Sequence, residues 1–142
     1  ALGYNMKCCE MCAAFGLVQL KKFDTFAKIR RNNILRYLEN LKDVPEIILP
    51  DDSIKPNWMA IPLQYEDRLG LLTFLENNNI QTRVTFAGNI TRHPVYREYL
   101  QDFENSDLIM KNGFLLGAHH GINESDVDYV CDKIKEYINS KK

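Results

Sequence analysis

Cys8, Cys9 and Cys12 are crowded near the start of the chain. Cys9 and Cys12 form a Cys-x-x-Cys pair, and a soft metal ion binds where several thiolates converge. On a helix, however, Cys8 and Cys12 share a face while Cys9 points elsewhere. The remaining cysteine, Cys131, falls on the apolar stripe of the last expected helix, where cysteine acts as a small hydrophobe. Packing is therefore the favoured role for these cysteines, and no metal site is expected. His119-His120 is a second candidate. Adjacent side chains in extended backbone point to opposite sides, so a surface loop between Gly117 and Gly121 fits better than a ligand pair. A third candidate gathers Arg83, Asn89, Arg92 and His93 around the end of an expected strand. Guanidinium donors are planar and paired, which suits phosphate. A polar loop with solvated arginines fits these residue types equally well. No nucleophile elbow, P-loop or dinucleotide fingerprint is present, and no residue is assigned a catalytic role.

The elements that must position these residues follow from periodicity. Residues 7–20 lack proline and are rich in small and apolar types, which predicts a buried helix. Gly16 inside it costs about 1 kcal/mol relative to Ala. A longer helix over 21–42 carries Phe23, Phe26, Ala27, Ile34, Leu38 and Leu41 at helical spacing, with Lys21, Lys22, Arg30, Arg31 and Lys42 on a solvated face. Three prolines make 43–57 a connecting loop. Trp58 to Tyr65 alternates, with Met59, Ile61, Leu63 and Tyr65 on one side, and Pro62 assigns that strand to an edge or a bulge. Arg68 to Asn78 reads as a short helix with Leu69, Leu72 and Leu75 along one face. Ile80 to Phe86 is a second strand, with Thr82, Val84 and Phe86 facing one way. Short helices follow within 94–112, and Phe114-Leu115-Leu116 makes a short strand. In the last helix Val127, Val130, Cys131, Ile134, Tyr137 and Ile138 keep the helical stripe, with Asn123 or Ser125 as cap. The fold class is α+β, with helices covering one face of a short sheet.

Bulk properties narrow the function classes. The chain has 142 residues, which suits one domain. Its net charge of -1 favours neither nucleic acid nor an anionic membrane as partner. Its apolar runs are too short to span a bilayer, and the start has no leader-like pattern. Clustered cysteines argue against a disulfide framework, and a reducing cytoplasm is the expected compartment. The chain begins at Ala1 and enters a helix almost at once, which reads as a fragment.

The opening residues add a resemblance. Gly3-Tyr4-Asn5-Met6-Lys7, then Glu10-Met11, Ala13-Ala14, Gly16-Leu17 and Gln19-Leu20 with Lys21-Lys22, resemble the segment joining the two domains of the fold type I sugar aminotransferases. Later segments resemble the nucleotide-sugar 3-dehydratases within that family. These are Thr82-Arg83 through Phe86-Ala87-Gly88-Asn89-Ile90-Thr91-Arg92, Asn105-Ser106-Asp107 with Lys111-Asn112-Gly113, and Asp126-Val127-Asp128-Tyr129-Val130. The resemblance covers nearly the whole chain. It implies a small C-terminal domain of a dimeric enzyme that uses PLP or PMP, with 1–42 as interdomain and dimer-interface helices and 43–142 as the α+β body. It implies that Asn5 reaches the cofactor phosphate of the neighbouring subunit, and that Arg83, Asn89, Arg92 and His93 lie where the family contacts its nucleotide-linked 4-keto-6-deoxy sugar. It implies a 3-dehydratase of deoxysugar and lipopolysaccharide O-antigen synthesis. The alternatives are a sugar aminotransferase or a stand-alone interaction domain. The family's large domain supplies the Schiff-base Lys, or the His replacing it, and the partner of the pyridine nitrogen. None of those motifs occurs in this sequence, so the chain alone is expected to bind no cofactor and to be inactive.

Overall fold

The computed structural model describes residues 9–142, so Asn5 and Cys8 lie outside the described residues. Helix α1 spans Glu10–Leu20 and α2 spans Phe23–Leu41, separated by a two-residue turn at Lys21 and Lys22. Strand β1 is Ala60–Gln64, α3 is Arg68–Asn77 and β2 is Thr82–Val84. Two 3₁₀ segments, Ile90–Arg92 and Pro94–Tyr99, lead to α4 at Glu104–Asn112. Strand β3 is Gly113–Gly117, and α5 at Glu124–Asn139 closes the fold.

β3 is the central strand of an antiparallel sheet in the order β1-β3-β2. Register follows alternation. Ile61 opposes Leu116 and Leu63 opposes Phe114, while Thr82 opposes the other side of Leu116. These residues are all buried and form the sheet's contribution to the core. Pro62, which cannot donate to a ladder, sits opposite Leu115 on an edge strand, as expected of a proline in a sheet. Ile34, Tyr37 and Leu41 of α2, Leu71 and Leu75 of α3, and Val127, Cys131 and Ile134 of α5 complete the core. Fully burying such a side chain stabilises by about 1.5–3 kcal/mol.

Polar groups tie the helices to the sheet. Tyr37 Oη donates to Gly117 O at 3.1 Å. Buried Asn33 donates through Nδ2 to His119 O at 3.2 Å and Ile122 O at 3.0 Å, pinning the β3–α5 turn to α2. Arg36 of α2 reaches across to Asp128 at 2.6 Å and Glu124 at 2.7 Å on α5. Asn123 caps α5 by accepting from Asp126 N at 2.9 Å, and Asp126 Oδ2 in turn accepts from Asn123 N at 3.0 Å, a reciprocal capping box.

Several expectations need correction. No residue of α1 is buried, although a buried helix was expected there: Met11, Phe15, Leu17 and Leu20 are all exposed. The composition was read for burial, and no other part of the described chain covers this helix. Cys9 and Cys12 on its first turn are exposed too, so neither packs, whereas Cys131 is fully buried as expected. On α3 the buried face is Leu71 and Leu75, and Leu69 is 80% exposed. Val84 and Phe86 do not share the burial of Thr82, because β2 ends at Val84 and Phe86 turns into left-handed backbone at φ 38°. Arg31 is not simply solvated: it pairs with Asp52 and fastens the proline-rich loop to α2.

Candidate functional site

The stretch that leaves β2 is organised by two carboxylates and one amide. Asn89 is buried, and its Nδ2 donates to Gln101 O and to Asp107 Oδ1, each at 2.9 Å. Its Oδ1 accepts from Thr91 N at 3.1 Å and Thr91 Oγ1 at 2.7 Å, which starts the first 3₁₀ segment. Arg92 folds back over the same point. Its Nη2 donates to Asp107 Oδ2 at 2.9 Å and to Asp102 Oδ1 at 2.7 Å, and its Nε also binds Asp107. Asp107 further accepts from Phe103 N at 3.2 Å. The Arg92 guanidinium, reinforced by Asn89, holds the Asp107 carboxyl well below the usual carboxylate range. His93 Nε2 lies 2.9 Å from Ala87 O. Gly88, at φ 60°, lets the backbone turn against Met110, where a Cβ would come within 2.3 Å of Met110 Cβ.

The consequence is a loop locked from within. Asn89 is buried beneath it and Asp107 is half-buried, while its outer surface mixes exposed Val95, Tyr96, Tyr99, Leu100 and Phe103 with exposed Arg92, Arg97, Glu98 and Asp102, and Phe86 is exposed just before it. Of the residues singled out from sequence, Asn89 and Arg92 converge on Asp107, and His93 braces the same loop. Arg83 stands apart. It projects from β2 on the face opposite buried Thr82, donates to Thr82 O at 2.8 Å, and lines a cleft of about 570 Å³ with Gln81, Tyr129 and Asp126. Asp107, the hub of the loop, was not picked out as a site residue. The available signal was its conjunction with a nearby arginine and asparagine, and spacings of 15 and 18 residues hide such a triad in a linear reading.

A second surface lies on the two N-terminal helices. The V between α1 and α2 forms a groove of about 660 Å³ lined by Ala13, Gly16, Leu17, Leu20, Phe23 and Phe26. His120 stacks on Phe26 with ring centroids 3.8 Å apart, which closes one end of the groove. His119 and His120 are exposed, as expected of a surface loop, and no group of three metal-ligating side chains gathers among the described residues. No helix among them is long and apolar enough to cross a membrane.

Neither cavity fits pyridoxal phosphate. No lysine lines the 570 Å³ cleft or the α1–α2 groove, so neither offers an amine for a Schiff base, and the groove wall is almost wholly apolar.

Comparison with known proteins places this geometry. The sequence pattern of the DegT/DnrJ/EryC1/StrS aminotransferase family matches residues 1–135. The chain is 34% identical over 148 residues to a dTDP-4-dehydro-2,6-dideoxy-D-glucose 3-dehydratase of Saccharopolyspora spinosa, covering 96% of this chain and 32% of that protein. It is 32% identical over 149 residues to a lipopolysaccharide biosynthesis protein of Salmonella typhimurium, covering 96% and 34%. Among solved structures, an Escherichia coli GDP-4-keto-6-deoxy-D-mannose-3-dehydratase with bound hydrated PLP superposes with a TM-score of 0.84 at 26% identity, covering 94% of this chain and 37% of the other. The chain spans about a third of the length of the relatives it matches. With the sequence match running almost end to end and the fold superposing throughout, this chain belongs to the DegT/DnrJ/EryC1/StrS aminotransferase family.

Proposed function

We propose that this chain is the small C-terminal domain of a nucleotide-sugar 3-dehydratase of deoxysugar and lipopolysaccharide synthesis, inactive without a large cofactor-binding domain. The observation that carries the reading is the pairing of a completed small-domain core with two surfaces rich in exposed apolar side chains, the α1–α2 groove and the outer wall of the 86–103 loop. Support for the dehydratase over the aminotransferase comes from the relative at 34% identity, a 3-dehydratase, against 31% for a dTDP-4-amino-4,6-dideoxy-D-glucose transaminase. When bound in such an enzyme, PLP or PMP supplies an electron sink beside the sugar carbon that loses its hydroxyl.

In this reading α1 and α2 seat the large domain and the second subunit, and Asn5 meets the neighbouring subunit's cofactor phosphate. The loop built on Asn89, Arg92 and Asp107 forms one wall of the sugar-nucleotide site. Asn89 serves that site by shaping the loop, since both N–H groups of its amide are engaged by Gln101 O and Asp107, and Arg92 braces the loop through Nε and Nη2 while its Nη1 remains to meet a ligand. Arg83, the Arg92 Nη1 group and the His93 Nδ1 edge are the groups left to meet phosphate or sugar oxygens.

The test is a titration of the purified chain with PLP and with PMP, followed by absorbance and calorimetry, alongside an assay with a nucleotide-linked 4-keto-6-deoxyhexose. No saturable binding and no turnover are expected. Stoichiometric cofactor binding or conversion of the sugar by the chain alone would overturn the reading.

A further inference from the structure

The Cys-x-x-Cys pair has a defined place in the fold. Ala13 N donates to Cys9 O at 2.9 Å, the first bond of α1, so Cys9 is its N-cap and Cys12 its third residue. N-cap and third position are the two sites that face each other in a reciprocal helix cap. Cys9 has extended backbone, φ -70° and ψ 126°, the conformation usual at an N-cap. Both cysteines are exposed, and no core residue separates them from solvent. The N–H of Cys12, then that of Met11, then the Cys12 thiol act on the Cys9 sulfur and hold its pKa below the ordinary thiol value. Cys131 is the contrast. It is fully buried in the core, and burial pushes its thiol up to about 12.

From this geometry we infer that Cys9 and Cys12 form a reversible dithiol–disulfide modification site at the start of α1, open to reagents in the chain whose α1 surface is not covered by a large domain. The co-reactant is a low-molecular-weight disulfide such as oxidised glutathione. The Cys9 thiolate attacks one sulfur of that disulfide, its S–S bond breaks, and one thiolate leaves. The Cys12 thiolate then attacks Cys9 Sγ, forms the internal S–S bond and expels the second thiolate. The protein gives up two electrons and two protons, and the external disulfide takes up both. Cys9 is the attacking residue because it sits at the N-cap, where the N–H groups of the first helical turn, which lack intrahelical partners, favour a thiolate, and Cys12, inside that turn, is the resolving residue.

The experiment incubates the native chain, and Cys8→Ser, Cys9→Ser and Cys12→Ser variants, with oxidised glutathione, then reads intact mass and fragments the tryptic peptide spanning residues 8–21. The native chain and Cys8→Ser are expected to lose two hydrogens, with a Cys9–Cys12 cross-link that dithiothreitol reverses. Cys12→Ser is expected to stop as a stable glutathione adduct on Cys9, and Cys9→Ser to react several-fold more slowly. Cys131 stays a thiol in all of them and reports an intact core. The inference is overturned if Cys8→Ser ends as glutathione adducts with no internal bond, or if Cys9→Ser reacts as fast as the native chain.

Discussion

The 86–103 loop and the α1–α2 arm are both rich in exposed apolar side chains, yet only the loop is held in shape by the chain's own chemistry. Its hub, Asn89 with Arg92 and Asp107, satisfies one amide, one guanidinium and one carboxylate together. The arm has no such hub. α1 contributes no buried residue, and its contact with the rest of the described chain runs through neighbours such as Phe26 and His120. Rigidity in the loop is encoded locally, whereas order in the arm depends on what is laid against it. A wall that must present a fixed shape to a small ligand needs the first arrangement. A surface that another domain will cover can do without it.

The largest effect that bears on this contrast lies beneath both regions. Phe114 is fully buried on the central strand opposite Leu63. Phe114→Ala is expected to cost about 3–5 kcal/mol, read from the urea midpoint. Leu17→Ala, on the arm, should leave that midpoint nearly unchanged. Equal losses at the two positions would mean that α1 is part of the folding core.

Next in size is the hub itself. Asn89→Ala removes its hydrogen bonds to Gln101 O, Asp107 and Thr91 N together. A typical intramolecular hydrogen bond contributes about 0.5–1.5 kcal/mol net. Amide exchange should quicken across 86–103 and stay unchanged in α5. A uniform acceleration over the whole chain would show that the loop is not a separate unit.

How much of this was legible in the sequence follows the same division. The stripe of Val127, Cys131, Ile134, Tyr137 and Ile138 on α5, and the alternation of Ile61 and Leu63, were readable because the covering element belongs to the same chain. Periodicity then reports a face that is in fact buried. α1 misled the reading, since apolar composition records that a helix is built to be covered without saying by which chain. α3 misled it more narrowly. Leu69, Leu71, Leu72 and Leu75 offer two overlapping stripes, and the choice is made by packing: Tyr137 Oη donates to Asp67 at the helix start at 2.6 Å and turns the Leu71–Leu75 side inward. Of the hub, Asn89 and Arg92 were legible from residue type and their place after a strand, whereas Asp107 was not, because it meets them only through tertiary folding.

The α2–α5 seam gives a pH-dependent test. Arg36, then Asn40, hold the Asp128 carboxyl at about 2 against an ordinary 3.8. A carboxylate whose folded pKa is depressed stabilises above its unfolded value, and that contribution fades as pH falls through the folded one. Native and Asp128→Asn chains should therefore differ in thermal midpoint at neutral pH, and the gap should close between about pH 4 and pH 2. A gap constant over that range would exclude the Arg36 pair as its source.

The smallest expected change in stability is the most pointed test of the arm. Leu17 is 62% exposed and lines the α1–α2 groove. Surface substitutions away from caps and networks shift stability by within about 0.5 kcal/mol, so Leu17→Glu should unfold at nearly the native urea concentration. Its association state should change instead. An uncovered apolar patch drives self-association, and a carboxylate at its centre would have to be desolvated in any such contact. Sedimentation of the native chain is expected to show concentration-dependent oligomers, and Leu17→Glu to sediment as a monomer. Exposed Phe86 on the loop supplies the control: if Phe86→Glu dissolves the oligomers and Leu17→Glu does not, then the loop rather than the arm is the adhesive surface.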